Sequence, residues 1–486
     1  MMKNVKSIKI NAALNGFRSV LNLVFPIITF PYVSRILSVK SMGIYNFSNT
    51  YSGYFLLIAG LGIGTYAIRE GAKYRDIPEK IKDFSNQMFS INILSTFISY
   101  ILLIATLLIF NNLRNYVSCI LVFSLQIFFT TIGAEWLYII YEDYTYITIR
   151  SIIFKILSII FLFVFVKQSN DYLIYAGITV FAGVGSNILN FIHARSFVPL
   201  GLTRRIDWGY HLKPILIIFA SAVAANIYVY SDNTLLGLIK DDYAVGIYSI
   251  AVKIYTIAQG LLTAILAVTI PRLAMLFGKR KFGQYSRLLQ QVMNTMILLS
   301  IPAATGLMML SKDIVLLIGS AKYLPSTTSL RIISWAILFS IFSWLFSDCV
   351  LIPAKREKYI LISTIVTAVF NVVINLCTIS YGSYDATALC TVLSEFLAMM
   401  MNGFYCRDII SKIVFSKVFL RNIGTSVIGS VAIAIVCILI FNTISSYIIR
   451  IIASILLSIL IYIIILILLR NDVVFNFIVK SRKRGE

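Results

Sequence analysis

Charge is scarce in this sequence. Only 13% of its 486 residues are Asp, Glu, Lys or Arg, about half the share that a soluble globular domain carries. Such a chain cannot clothe a water-facing surface of its size. Histidine is rarer still, with His193 and His211 alone, which leaves little for a zinc set or a catalytic triad. The six cysteines, Cys119, Cys349, Cys377, Cys390, Cys406 and Cys437, lie in or beside apolar runs without C-x-x-C spacing. They read as small packing residues and not as a disulfide frame or a metal site. Long polar connections are also missing: segments such as Asn111 to Asn115 and Lys167 to Asp171 are too short to house soluble chemistry.

What is present is hydrocarbon. Hydrophobic residues make up 59% of the chain and the mean hydropathy is +0.89. The apolar stretches run unbroken for about 20 residues, the length that crosses a bilayer as a helix, which excludes an alternating outer-membrane barrel. Fourteen spans are expected: Ile10 to Leu37, Ile44 to Ala67, Phe84 to Ile109, Tyr116 to Ile140, Ile147 to Val166, Tyr172 to Ile192, Pro214 to Gly237, Ala244 to Ile270, Leu288 to Leu310, Leu330 to Ile352, Tyr359 to Ile379, Asp385 to Tyr405, Ile423 to Phe441 and Tyr447 to Leu469. The expected fold class is therefore an all-α polytopic membrane protein. Met1 to Lys9 resembles the start of a signal peptide, but the following apolar run is too long for one, so it is expected to stay as the first span.

The 42 Lys and Arg against 20 Asp and Glu would suggest nucleic acid in a soluble chain. Here they cluster between apolar runs, as topogenic charge does, and no nucleic-acid partner is expected. Alternate connections carry more than three times the basic residues of the others, which predicts cytoplasmic N- and C-termini.

An internal repeat shows at an offset of 203 residues: Gly43-Ile44-Tyr45 opens the second expected span and Gly246-Ile247-Tyr248 the eighth, with Arg69 falling on Arg272. Six spans between copies make the repeats parallel, related by an axis along the membrane normal. The expected organisation is a six-helix bundle over 1–200, a second over 201–412, and an added helix pair with a basic tail over 413–486.

Ionised side chains inside a bilayer cost at least about 2.5–3.5 kcal/mol, so each needs a partner or a wet cavity. Six that lie away from the ends of expected spans are the candidates: Arg18, Glu135, Lys155, Asp232, Lys253 and Glu395, whereas Asp348 lies so close to its span's end that a solvated, interfacial place is expected. Arg18, Lys155 and Lys253 are candidate contacts for an anionic substrate, Arg18 foremost because a guanidinium matches two phosphate oxygens at once. Glu395, Asp232 and Glu135 are candidate ion-coupling carboxylates. Structural ion pairs, Glu135 with Lys155 and Asp232 with Lys253, are the competing reading. No cofactor is expected, and the energy source would be a proton or sodium gradient.

Several patches carry a resemblance: Phe30-Pro31-Tyr32-Val33-Ser34-Arg35-Ile36-Leu37, Gly43-Ile44-Tyr45, Leu61-Gly62-Ile63-Gly64-Thr65-Tyr66-Ala67-Ile68-Arg69-Glu70, and Asp232-Asn233-Thr234-Leu235-Leu236-Gly237. Through them the chain resembles the polysaccharide transporters of Wzx type, the O-antigen and capsule repeat-unit flippases of the multidrug/oligosaccharidyl-lipid/polysaccharide (MOP) exporter superfamily. The resemblance implies a transporter, not an enzyme. It would move an undecaprenyl-diphosphate-linked oligosaccharide to the outer leaflet of a bacterial cytoplasmic membrane by ion-coupled alternating access, alongside polysaccharide polymerase and chain-length machinery. The related lipid II flippases carry several cavity arginines in the first bundle; here Arg18 is the one arginine expected well inside a span there, Arg35 and Arg150 falling near span ends. The alternatives are a cation-coupled multidrug antiporter of the same superfamily and a polytopic glycan polymerase or acyltransferase.

Overall fold

In hydrocarbon no water is available to backbone amides, so a chain of long apolar runs must satisfy them within helices. The computed structural model describes residues 25–469 and 471, and those residues contain helices and no strand. Twelve of the helical segments are long and apolar enough to cross a membrane. One of them, Glu357–Tyr405, has 49 residues, about twice the length a bilayer needs at 1.5 Å per residue. It turns at Ser383, whose φ of 49° and ψ of −133° are not helical. The first expected span begins outside the described residues.

The chain divides into two compact units, Met1–Gly246 and Ile247–Glu486. In the first, the helices are α1 (Val39–Gly60), α2 (Ile63–Gly71), α3 (Pro78–Ile109), α4 (Val117–Gly133), α5 (Glu135–Ile140), α6 (Tyr144–Phe165), α7 (Tyr172–Val184), α8 (Asn187–Ala194) and α9 (Trp208–Ile239). Three of its spans are interrupted. Leu61 and Gly62 in left-handed conformation separate α1 from α2, left-handed Ala134 separates α4 from α5, and Gly185 and Ser186 separate α7 from α8. Side chains collect the carbonyls left over: Asn92 Nδ2 and Ser95 Oγ donate to Ala59 O at 2.8 and 2.6 Å, and Asn187 Nδ2 donates to Phe129 O at 2.9 Å. Gly133 makes room for the last, since a Cβ there would lie 2.6 Å from the Asn187 side chain.

The second unit is reached through α10 (Asp242–Gly278), whose first turn still belongs to the first. It continues with α11 (Phe282–Met309), α12 (Ser311–Gly319), α13 (Ser326–Ile333), α14 (Ala336–Trp344), a π-helical stretch over Leu345–Leu351, α15 (Glu357–Tyr405), α16 (Arg407–Val414), α17 (Lys417–Thr443) and α18 (Tyr447–Leu468). Its last helix shows how the fold is sorted. Ile452, Leu456, Ile459, Leu460 and Ile463 of α18 are exposed, while Ser454 and Ser458 are buried. Small residues face neighbours and large apolar ones face outward, as lipid-exposed helices require. Tyr462 fits against Gly429 of α17 and donates to Leu298 O of α11 at 2.7 Å, binding the added pair to the body of the unit.

Candidate functional site

The first unit has a polar seam where α1 meets α9. Tyr54 Oη and Thr234 Oγ1 share a hydrogen bond of 3.1 Å, and Asn233 Nδ2 donates to Thr50 Oγ1 at 3.4 Å. The Tyr230 ring stands edge-on to Tyr54, centroids 5.3 Å apart. It rests over Gly53, where a Cβ would come within 2.9 Å of the ring. Asp232 is buried in this seam, 8% exposed, within electrostatic reach of Tyr54. The neighbouring Asn233 Oδ1 is buried with no hydrogen-bond partner among the described residues. Hydroxyls, an amide oxygen and a carboxylate are hard oxygen donors, the chemistry that suits protons and alkali cations.

The remaining sequence-predicted residues are spread over other helices. Glu135 is the first residue of α5, directly after the Ala134 break, and is half-buried. Lys155 lies mid-way along α6, also half-buried. Arg18 lies outside the described residues. In the second unit Lys253 is half-buried on α10, and Glu395, half-buried on α15, lies within electrostatic reach of the buried Tyr255. One turn before Glu395, Thr391 shares a 3.0 Å hydrogen bond with Tyr248. On the other half of α15, the buried Asn375 Nδ2 donates to Asn371 O at 3.0 Å.

Three features escaped the sequence reading. Asp313 of α12 is fully buried and pairs with Arg450 of α18, Nη2 to Oδ1 at 2.7 Å. Burial pushes the Asp313 carboxyl above its ordinary range, against the pull of Arg450. Secondly, Arg356 grips Asp408 with both Nη atoms at 2.7 Å and donates to Tyr405 O at 3.0 Å. That fork holds Asp408 below the usual carboxylate range. Thirdly, α10, α11, α12, α17 and α18 line an open cavity of about 530 Å³ walled mainly by apolar side chains, among them Leu261, Leu298, Ile314, Ile433 and Ile455. An apolar wall assembled from five helices gives no local sequence signal. The charged pairs join residues 137 and 52 positions apart, beyond any periodicity.

Twelve long apolar helical segments with polar seams between them define a multi-pass membrane protein. The model of the polysaccharide biosynthesis protein family matches residues 10–277, and the MatE model matches residues 217–377. The chain belongs to the polysaccharide biosynthesis protein family, as a polysaccharide transporter of the MOP superfamily. It is 25% identical over 350 residues to a Shigella dysenteriae protein described as an O-antigen transporter, covering 69% of this chain and 84% of that one. It is 26% identical over 156 residues to the lipid II flippase MurJ of Bacillus subtilis, covering 31% and 28%. Among solved structures, lipid II flippase MurJ in an inward closed conformation superposes with a TM-score of 0.76 at 16% identity, over 95% of this chain and 99% of that one. A multidrug resistance MATE transporter in an inward-facing conformation gives 0.61 at 15% identity, over 82% and 96%. At such identities the likeness is one of fold.

Proposed function

We propose that this protein is a flippase that carries an undecaprenyl-diphosphate-linked oligosaccharide repeat unit from the cytoplasmic to the outer leaflet of the cytoplasmic membrane, for assembly of O-antigen, capsule or exopolysaccharide. The observation that carries the reading is the coexistence of two environments within the membrane part of one family member. One is an apolar cavity along α10, α11, α12, α17 and α18, suited to hydrocarbon. The other is a set of charged side chains inside spans, suited to a diphosphate and its sugars. An amphiphile of this type needs both, because a diphosphate cannot enter oil unaided and a polyprenyl tail has no reason to leave it.

Arg18, Lys155 and Lys253 receive the anionic headgroup in this reading. Asp232, Glu395 and Glu135 couple the movement to a proton or sodium gradient, and the oxygen-rich surroundings of Asp232 support its part in that. Polysaccharide polymerase and chain-length machinery would act on the delivered unit. Deleting the gene should make lipid-linked repeat units accumulate on the cytoplasmic side, with rescue by the native chain and not by an Arg18→Gln variant that reaches the membrane. Absence of accumulation would remove the proposal.

A second reading, a cation-coupled multidrug antiporter, is favoured by the MatE match over residues 217–377. It predicts altered drug tolerance on expression with surface glycan unchanged.

A further inference from the structure

The repeat at an offset of 203 is matched in hydrogen bonding. Ser38 caps α1 by accepting from Ser41 N at 3.1 Å; Asp241, at the matching position, caps α10 by accepting from Ala244 N at 2.8 Å. Tyr45 bonds Thr179 and Tyr248 bonds Thr391, both at 3.0 Å. Between each cap and its tyrosine stands a glycine, Gly43 in α1 and Gly246 in α10.

Both glycines are used for close approach, and each is used on the other's helix. A Cβ on Gly43 would overlap the carbonyl oxygen of Asp242, the first residue of α10. A Cβ on Gly246 would overlap the carbonyl oxygen of Val39, the first residue of α1. Val39 and Asp242 are themselves 203 residues apart. The contact is therefore reciprocal: each first turn offers a carbonyl, and each glycine, four residues on, offers a Cα–H in place of a side chain. Such pairs form weak Cα–H···O bonds and allow backbones to touch inside a membrane. All four residues fall within the compact unit Met1–Gly246. Around them Tyr116 donates to the Asp242 carboxylate, and Phe47 fills the space left by Gly237.

A contact without side chains, made of two weak bonds, is stiff in register but inexpensive to part. We propose that Gly43 and Gly246 are positioning residues of the transport step: they let the first turns of α1 and α10 seat on each other's carbonyls, and the seat must separate and re-form in each turnover. This rests on the flippase reading above and adds to it a named pair whose size, not charge, controls the cycle.

The test uses the full chain with cysteines at Lys40 and Tyr243, exposed matching positions one residue beyond Val39 and Asp242, bridged in membranes by a thiol-cleavable bis-maleimide. The expected result is efficient bridging, loss of repeat-unit flipping in the bridged protein, and recovery when the linker is cleaved. Adding Gly43→Val or Gly246→Val should lower bridging about tenfold, the scale set by losing two weak contacts, whereas Gly177→Val, at a glycine with nothing within 4 Å of a Cβ, should not. Should a valine variant fail to fold, the bridge on the native glycines still decides. Full flipping by the bridged protein would overturn the proposal, as would unchanged bridging in a folded Gly43→Val variant. If the double-cysteine protein bridges normally but flips no repeat unit even before the linker is added, the flippase reading fails instead.

Discussion

Asp313 and Arg450 form the kind of pair whose members cannot be removed singly. Asp313 is fully buried and Arg450 half-buried, with the guanidinium also 4.9 Å from the Phe441 ring centroid. Arg450→Met strands a buried carboxyl and should lower unfolding free energy in detergent by about 3–5 kcal/mol. The double variant Arg450→Met with Asp313→Leu should recover most of that loss, and a double variant no better than the single one would refute the pairing as the cause. Asp408 is the contrasting case. Its pKa is lowered by Arg356, so the tie contributes at every pH above the ordinary carboxylate value of about 3.9 and is lost only as pH falls through the lower folded value. Asp408 is 55% exposed, so Asp408→Asn should shift stability by no more than about 1 kcal/mol at neutral pH. Both pairs show what sequence reading misses at this scale. Arg450 sits at the start of an apolar run and looks like topogenic charge until its partner 137 residues away is seen.

The expected second span, Ile44 to Ala67, and fourth, Tyr116 to Ile140, were legible from composition because twenty apolar residues have one use. Their interruptions were not. Gly62, with φ of 73°, sits in a glycine-rich stretch that hints at a break. Leu61 and Ala134 hold left-handed conformation without being residues that prefer it, so propensity predicts an unbroken helix at both. Tertiary packing overrides it at Ala134: Asn187 of α8 holds the end of α4 from outside, in the space that Gly133 leaves for it. Two expectations follow, both read by thermal or denaturant unfolding. Ala134→Gly should be neutral to stabilising by about 1 kcal/mol, since glycine adopts φ of 38° without strain. Asn187→Leu should cost about 1–3 kcal/mol, because it removes the hydrogen bond that the buried Asn187 amide donates to the Phe129 carbonyl. A stabilised Asn187→Leu would show that the break is held by something else.

At the scale of the whole molecule, the all-helical membrane class and the family were legible in the sequence because both are written in composition and contiguous motifs. The roles of single charges were not. Asp232, for example, stands in a motif, but Tyr54, which lies within its electrostatic reach, comes from another helix far earlier in the chain. If Asp232 couples an ion, Asp232→Asn should abolish the dependence of transport on the gradient while leaving the protein folded, and gradient-dependent transport by that variant would exclude the role.

The central claim is that this chain moves a lipid-linked oligosaccharide between leaflets, and reconstitution tests it most directly. Purified protein would be placed in vesicles loaded with a labelled undecaprenyl-diphosphate oligosaccharide, with an impermeant sugar-binding probe or glycosidase outside. An inner pool that becomes accessible only in vesicles containing the protein, and faster under an imposed ion gradient, is the predicted result. An inner pool that stays as protected as in empty vesicles, with folded protein inserted, would contradict it.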